Sequence, residues 1–293
     1  MSRKRALLVG INYPGTRNEL RGCVNDVRTM DWVISQKFGF TAPRERRMLT
    51  DASATTQNIL ERLDWLVDDA QPGDVLYFHY SGHGSQMIDR DYNRVEEPDG
   101  KDEIICPTDL NWRDKVIKDD DFKAVFNKVP KGVNLTVVLD CCHSGGGIDN
   151  VNEVGDVAYQ PPIQMRRELG AESPNRNRRM DMPVDIESRS YGMGIDVKPR
   201  GLHGKKPGDV NDGILISGCR STETSADAWI HNRYMGACTY YIAHTLSKHN
   251  FKMPYKQLAD ELTSVLGRCG YTQHPELNGA TSQFNKNFLE PLI

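Results

Sequence analysis

The chain has 293 residues, 38% of them hydrophobic, enough to bury the core of one large domain or two small ones. Its 37 basic and 40 acidic residues leave a formal charge of -3, which excludes any global attraction to nucleic acid or to an anionic membrane. Seven irregularly spaced cysteines give no paired disulfide framework, and no run approaches the ~18 apolar residues of a membrane span, so a reducing cytoplasm is the expected compartment.

After a basic start, Ala6 to Ile11 is apolar but shorter than a secretory core of ~7–15 residues, and it reads as a first strand. Val24 to Phe38 places Val27, Met30, Val33 and Ile34 on one helical face. Thr55 or Thr56 can cap a second helix, in which Ile59, Leu63, Leu66 and Val67 line up. Asp74 to Tyr80 and Asn134 to Leu139 read as strands, and the unbroken apolar run of the latter suits burial on both faces. Between 150 and 212 periodicity fades and prolines mix with scattered charge, the pattern of a long surface linker. A strand over Gly213 to Ser217 and helices near Ala237 to Leu246 and Tyr255 to Leu266 follow. Strands alternating with helices predict an α/β fold, a mostly parallel central sheet with helices on both faces. The expected organisation is one domain in two halves, 1–149 and 213–293, joined by the linker 150–212.

Reactive groups of open α/β sheets collect beyond the carboxyl ends of the strands. One strand runs into Ser81-Gly82-His83-Gly84-Ser85, another into Asp140-Cys141-Cys142-His143-Ser144-Gly145. The first delivers an imidazole and the second a thiol, each beside glycines that let a substrate backbone approach. Peptide hydrolysis needs a thiolate nucleophile, an imidazole to protonate the leaving amine and amide donors for the oxyanion. Cys142, His83 and the N–H groups of Gly84 and Cys142 meet those needs. Zinc is disfavoured, because His79 and His83 would lie ~13 Å apart on a continued strand and no C-x-x-C pair is present. Neither a G-x-S-x-G elbow nor a phosphate-binding loop occurs.

Tyr80-Ser81-Gly82-His83-Gly84 and Asp140-Cys141-Cys142-His143-Ser144-Gly145 resemble the His and Cys signatures of metacaspases, the caspase-like cysteine peptidases. Leu20 to Asp26, Asp102 to Pro107, Ile216 to Cys219 and Thr224 to Asp227 extend the resemblance over nearly the whole chain, the linker excepted. It implies a caspase-hemoglobinase sheet and a large-subunit half before a small-subunit half, whereas no N-terminal prodomain is expected in this chain. The family commonly has serine where this chain has Cys141, and the thiol directly before His-Ser-Gly, Cys142, matches the catalytic one. Cleavage after Arg or Lys is implied too, with Asp26 and Asp140 as pocket carboxylates and Cys23 and Ser81 beside them. Substrates are then peptides or proteins with Arg or Lys at P1. The pairs Arg166-Arg167, Arg178-Arg179 and Lys205-Lys206 in the linker become candidate self-cleavage sites.

Acidic residues cluster a second time, at Asp102-Glu103, Asp119-Asp120-Asp121 and Asp149, and like charges so arranged invite a hard cation. The resemblance implies an activating calcium ion at Asp102, Asp119, Asp120 and Asp149; a solvated acidic face or a helix N-terminus is the alternative reading of the triple Asp. The segment starting Asp89-Arg90-Asp91 begins like an EF-hand loop but has Arg94 for the turn glycine and Gly100 for the bidentate Glu, so it fails as one. Three classes therefore stand: a cysteine endopeptidase, a catalytically silent caspase-like interaction module, and a metal-binding structural protein. The intact His83 and Cys142 pair favours the first.

Overall fold

The computed structural model describes residues 2–88, 101–142, 176–180, 213–220 and 223–292. In chain order the elements are β1 (Lys4–Gly10), α1 (Cys23–Lys37), β2 (Arg46–Thr50), α2 (Thr56–Val67), β3 (Val75–Ser81), β4 (Gly84–Ile88), β5 (Lys101–Ile105), β6 (Ile117–Lys118), α3 (Asp119–Phe126) and β7 (Asn134–Asp140). Then come β8 (Arg176–Asn177), β9 (Ile214–Ser217), β10 (Ala226–Ile230), β11 (Arg233–Gly236), α4 (Ala237–Lys248), α5 (Tyr255–Arg268) and β12 (Glu276–Gly279).

Six strands form the central sheet in the order β12-β9-β7-β3-β1-β2. All neighbours are parallel except β12, which runs antiparallel along β9. The expected α/β architecture is therefore present, with β9 of the second half hydrogen-bonded directly to β7 of the first. Every residue of β3 and β7 is buried, as a sheet covered on both faces requires. Alternation then sorts the side chains. Leu7, Val9, Leu76, Phe78, Leu135 and Val137 pack with Ile59 and Leu63 of α2 and with Phe122 and Phe126 of α3. Ala6, Leu8, Tyr77, Val138 and Ile216 point the other way, onto Met30 and Ile34 of α1, Ile242 of α4 and Leu258 of α5.

α2 starts where the sequence places its cap: the Thr55 hydroxyl accepts from the N–H of Asn58 at 3.3 Å. Two small antiparallel sheets, β4-β5-β6 and β11-β10-β8, sit beside the main one and escape the sequence reading. No helix among the described residues is long and apolar enough to cross a membrane.

Candidate active site

The parallel register pairs Ser81 with Asp140 at the ends of β3 and β7. His83 and Cys142 lie two residues beyond those ends, so one pairing brings both groups to the same edge of the sheet. A Cβ on Gly84 would run into the Cys142 carbonyl, and only glycine lets the two loops touch.

His83 is 3% exposed, and its ring lies against Tyr13 with centroids 4.8 Å apart. Nε2 sits 2.7 Å from the Asn18 carbonyl, which can only accept, so Nε2 carries the proton and the neutral ring presents an unprotonated Nδ1. Nδ1 is buried without a hydrogen-bond partner among the described residues. Burial lowers the ring's pKa below the usual histidine value, opposed by the carbonyls of Asn18 and Arg178. The imidazole is thus kept neutral and basic at Nδ1.

The two adjacent thiols occupy different surroundings. Cys141 is part of the apolar core, and burial, reinforced by its neighbours Cys142 and Asp140, pushes its pKa well up. Such a thiol stays protonated and inert. Cys142 instead turns into the polar groove, its Sγ 2.9 Å from the N–H of Ser225 and 3.3 Å from Asn177 Oδ1.

The groove holds part of the chain's own 150–212 stretch. Residues 176–180 depart from the expected surface course: β8 pairs antiparallel with β10, setting Asn177 opposite Ala226 and Arg176 opposite Asp227. The N–H of Arg178 donates to the Ser225 carbonyl at 3.1 Å, and the N–H of Gly84 donates to the Arg178 carbonyl at 3.0 Å. Beyond it, the N–H of Met180 donates to the Gly84 carbonyl at 3.1 Å. The segment is extended across the His83 and Cys142 loops with a carbonyl on the expected oxyanion donor.

Arg178 is wholly buried. Its Nη2 lies 2.8 Å from Asp26 and 2.9 Å from Asp227, while Nη1 donates to Ser81 Oγ at 2.7 Å and to the Asp140 carbonyl at 3.1 Å. The Ser81 hydroxyl in turn donates to Asp26 Oδ2 at 2.6 Å. Asp140 Oδ1 takes Ser225 Oγ, and Oδ2 takes the N–H and hydroxyl of Thr239 at 2.9 and 2.7 Å. Burial would raise Asp140, but Arg178, Ser225 and Thr239 outweigh it, and its pKa falls below the ordinary carboxylate value. For Asp26 burial wins over the guanidinium, and its pKa rises to about 6. Cys23, also expected here, is buried, its thiol pushed well up chiefly by burial. Asp26, Ser81 and Asp140 therefore meet at one buried cation. Asp227 joins them without having been assigned a role; its only sequence signal is its place in Thr224-Ser225-Ala226-Asp227. His79 stands apart from His83: Tyr77 bonds its Nδ1 at 2.8 Å, Thr239 faces Nε2 at 3.3 Å, and burial lowers its pKa to about 4, so it braces the pocket as a neutral ring.

The acidic cluster is only partly assembled. Asp102 is buried with the Lys118 ammonium against its carboxylate, and Lys123 lies 2.9 Å from both Asp119 and Asp120. Among the described residues Asp119 Oδ1 is buried without a hydrogen-bond partner, an orphaned acceptor that suits a cation, whereas the Asp120 side chain is 61% exposed. Asp121 does what a helix N-terminus asks, accepting the Lys118 N–H at 2.9 Å. Among the described residues no group of three acidic, Cys or His side chains is gathered closely enough to hold a metal. Asp149, the 89–100 segment, and the pairs Arg166-Arg167 and Lys205-Lys206 lie outside the described residues.

With this geometry in place, the comparisons are specific. Residues 4–151 match the family model for the metacaspase, peptidase C14 domain. The chain is 35% identical over 326 residues to Metacaspase-9 of Arabidopsis thaliana, covering 99% of this chain and 98% of that one. It is 33% identical over 304 residues to Metacaspase-1 of Schizosaccharomyces pombe, covering 94% and 67%. Among solved structures, a Geobacter sulfurreducens protein aligns with a TM-score of 0.66 at 22% identity, covering 99% of this chain and all of that one. Caspase-1 of Spodoptera frugiperda aligns at 0.50 and 11%, covering 98% and 91%, a likeness of fold.

Proposed function

Because the chain belongs to the metacaspase family of caspase-like cysteine endopeptidases, we propose that it cuts peptide bonds after Arg or Lys, with Cys142 as nucleophile and His83 as its acid-base partner. The observation that carries this reading is Arg178, seated as a P1 residue would be: cationic head among carboxylates, carbonyl on Gly84, backbone added as a strand to β10. In the reaction His83 Nδ1 takes the Cys142 proton and the thiolate attacks the carbonyl carbon of the P1 residue. The N–H groups of Gly84 and Cys142 hold the oxyanion. Collapse expels the amine, which takes the proton from the imidazolium. The neutral ring then deprotonates the water that hydrolyses the thioester, regenerating the thiol and releasing the P1 carboxylate.

The same seating supports self-processing at Arg178-Arg179. The halves 1–149 and 213–293 would stay together after such a cut, because β7 and β9 share the sheet. Calcium belongs to the proposal as an activator held by Asp102, Asp119, Asp120 and Asp149; the buried carboxylate of Asp102 and the orphaned Asp119 oxygen support it. When bound, the ion would supply the positive charge that Lys118 and Lys123 bring to this corner in the structure.

The test is hydrolysis of matched fluorogenic peptides with Arg, Lys or Asp at P1, with calcium or chelator. Cleavage of the Arg and Lys peptides is expected, lost in Cys142→Ala and His83→Ala, retained in Cys141→Ser, and weakened in its calcium response by Asp119→Ala. A folded Cys141→Ser as inactive as Cys142→Ala would move the nucleophile. Cleavage after Asp alone would remove the pocket assignment, and a calcium response absent from wild type would remove the ion.

A further inference from the structure

We propose that Asp227 is the residue that makes the pocket select Arg over Lys, an inference that rests on the reading of this groove as the site of cleavage after a basic residue. Its carboxylate is fully buried. Oδ2 accepts the N–H of Arg21 at 2.8 Å, and Oδ1 accepts the N–H of Gly22 at 2.9 Å and faces Arg178 Nη2 at 2.9 Å. Two main-chain donors thus fix its orientation before any substrate arrives. Gly22 is part of the device, since a Cβ there would strike Oδ1 and push the turn away.

The partners of the guanidinium divide into two corners. Nη1 is served by Ser81 and the Asp140 carbonyl, while Nη2 is served by Asp26 and Asp227. Nε makes no hydrogen bond among the described residues. A planar fork presents one nitrogen to each corner at once. Lysine ends in a single nitrogen about one bond short of either Nη, so it can occupy one corner only and leaves buried acceptors unpaired at the other. Asp26 cannot supply the distinction, because its Oδ2 takes both Arg178 Nη2 and the Ser81 hydroxyl of the opposite corner. Asp227 touches the Nη2 corner alone.

The experiment measures kcat/KM for a peptide pair differing only in P1 Arg or Lys, in wild type and in Asp227→Asn. Wild type is expected to prefer Arg by at least about tenfold, as sites built to hydrogen-bond a group reject analogues lacking it. Asp227→Asn is expected to lower Arg cleavage far more than Lys cleavage, bringing the ratio to about one, mainly through KM. A loosened fold would lower both substrates equally and leave the ratio alone, so the ratio separates specificity from bracing of the Arg21–Gly22 turn. Equal losses in a variant with an unchanged melting temperature would overturn the proposal. The wild-type ratio stands even where the variant unfolds, and a value below about three would overturn it as well. Cleavage of neither peptide by wild type would instead bring down the basic-P1 reading on which this inference rests.

Discussion

Replacing Arg178 with Ala tests the occupied groove directly. The side chain is buried, with Nη2 at 2.8 Å from Asp26 and 2.9 Å from Asp227 and Nη1 at 2.7 Å from Ser81. Removing one partner of a buried ion pair costs ~3–5 kcal/mol. Here the 176–180 segment can leave and water can enter, so the low end, about 3 kcal/mol, should appear as a shift of the docking equilibrium towards the open groove. That is on the order of a hundredfold. The assay is a fluorescence titration with p-aminobenzamidine, a cationic amidine that competes with Arg178 for the carboxylates, in a Cys142→Ala background that cannot cut. Arg178→Ala should bind it about a hundredfold more tightly than the parent, by the same conversion. Equal affinities in the two proteins would refute the reasoning, since the guanidinium would then not be holding the segment in place.

Two further outcomes follow from the same site. With Arg178 seated, Asp26 titrates at about 6, and the cation is already pulling that value down. A bound cation favours the Asp26 carboxylate, so amidine binding is expected to be strong above that range and lost as pH falls through about 6. In the Arg178→Ala, Cys142→Ala protein a Kd that is flat between pH 7 and pH 5 would contradict this, and Asp26→Asn should remove the pH dependence. Gly84→Ala should cost ~10²–10³ in kcat by displacing one oxyanion donor, with the circular dichroism spectrum unchanged; activity within threefold of wild type would mean that the Gly84 amide is not the donor.

Much of this arrangement is legible in the chain because it rests on local signals. Runs such as Leu135 to Leu139 are apolar on both faces and can only be interior strands, and the His83 and Cys142 loops announce themselves by their glycines at strand ends. What escapes is carried by weak or distant signals. β12 reads Glu-Leu-Asn-Gly, a partly exposed edge strand with too little apolar content to stand out. The β10–β11 hairpin turns at His231 and Asn232, both at positive φ, where Asn-Gly would have marked the turn and His-Asn does not. Arg178 looks like one basic residue among many in a stretch without periodicity. Only the fold reveals that three carboxylates, from α1, β7 and β10, converge on it. Asp102 and Asp119 show the opposite problem, since the cluster is visible in sequence but the lysines that neutralise it come from positions 118 and 123 of the same short stretch.

The strand that fills the groove belongs to the same covalent chain as the groove, and this sets the kinetics of any substrate that must enter. An intramolecular ligand acts at a fixed effective concentration, commonly on the order of millimolar, that dilution cannot lower. Competition between residues 176–180 and an outside peptide therefore depends on the peptide's concentration alone, never on the enzyme's. An uncut molecule of this protein would remain equally occupied in a crowded compartment and in a dilute assay.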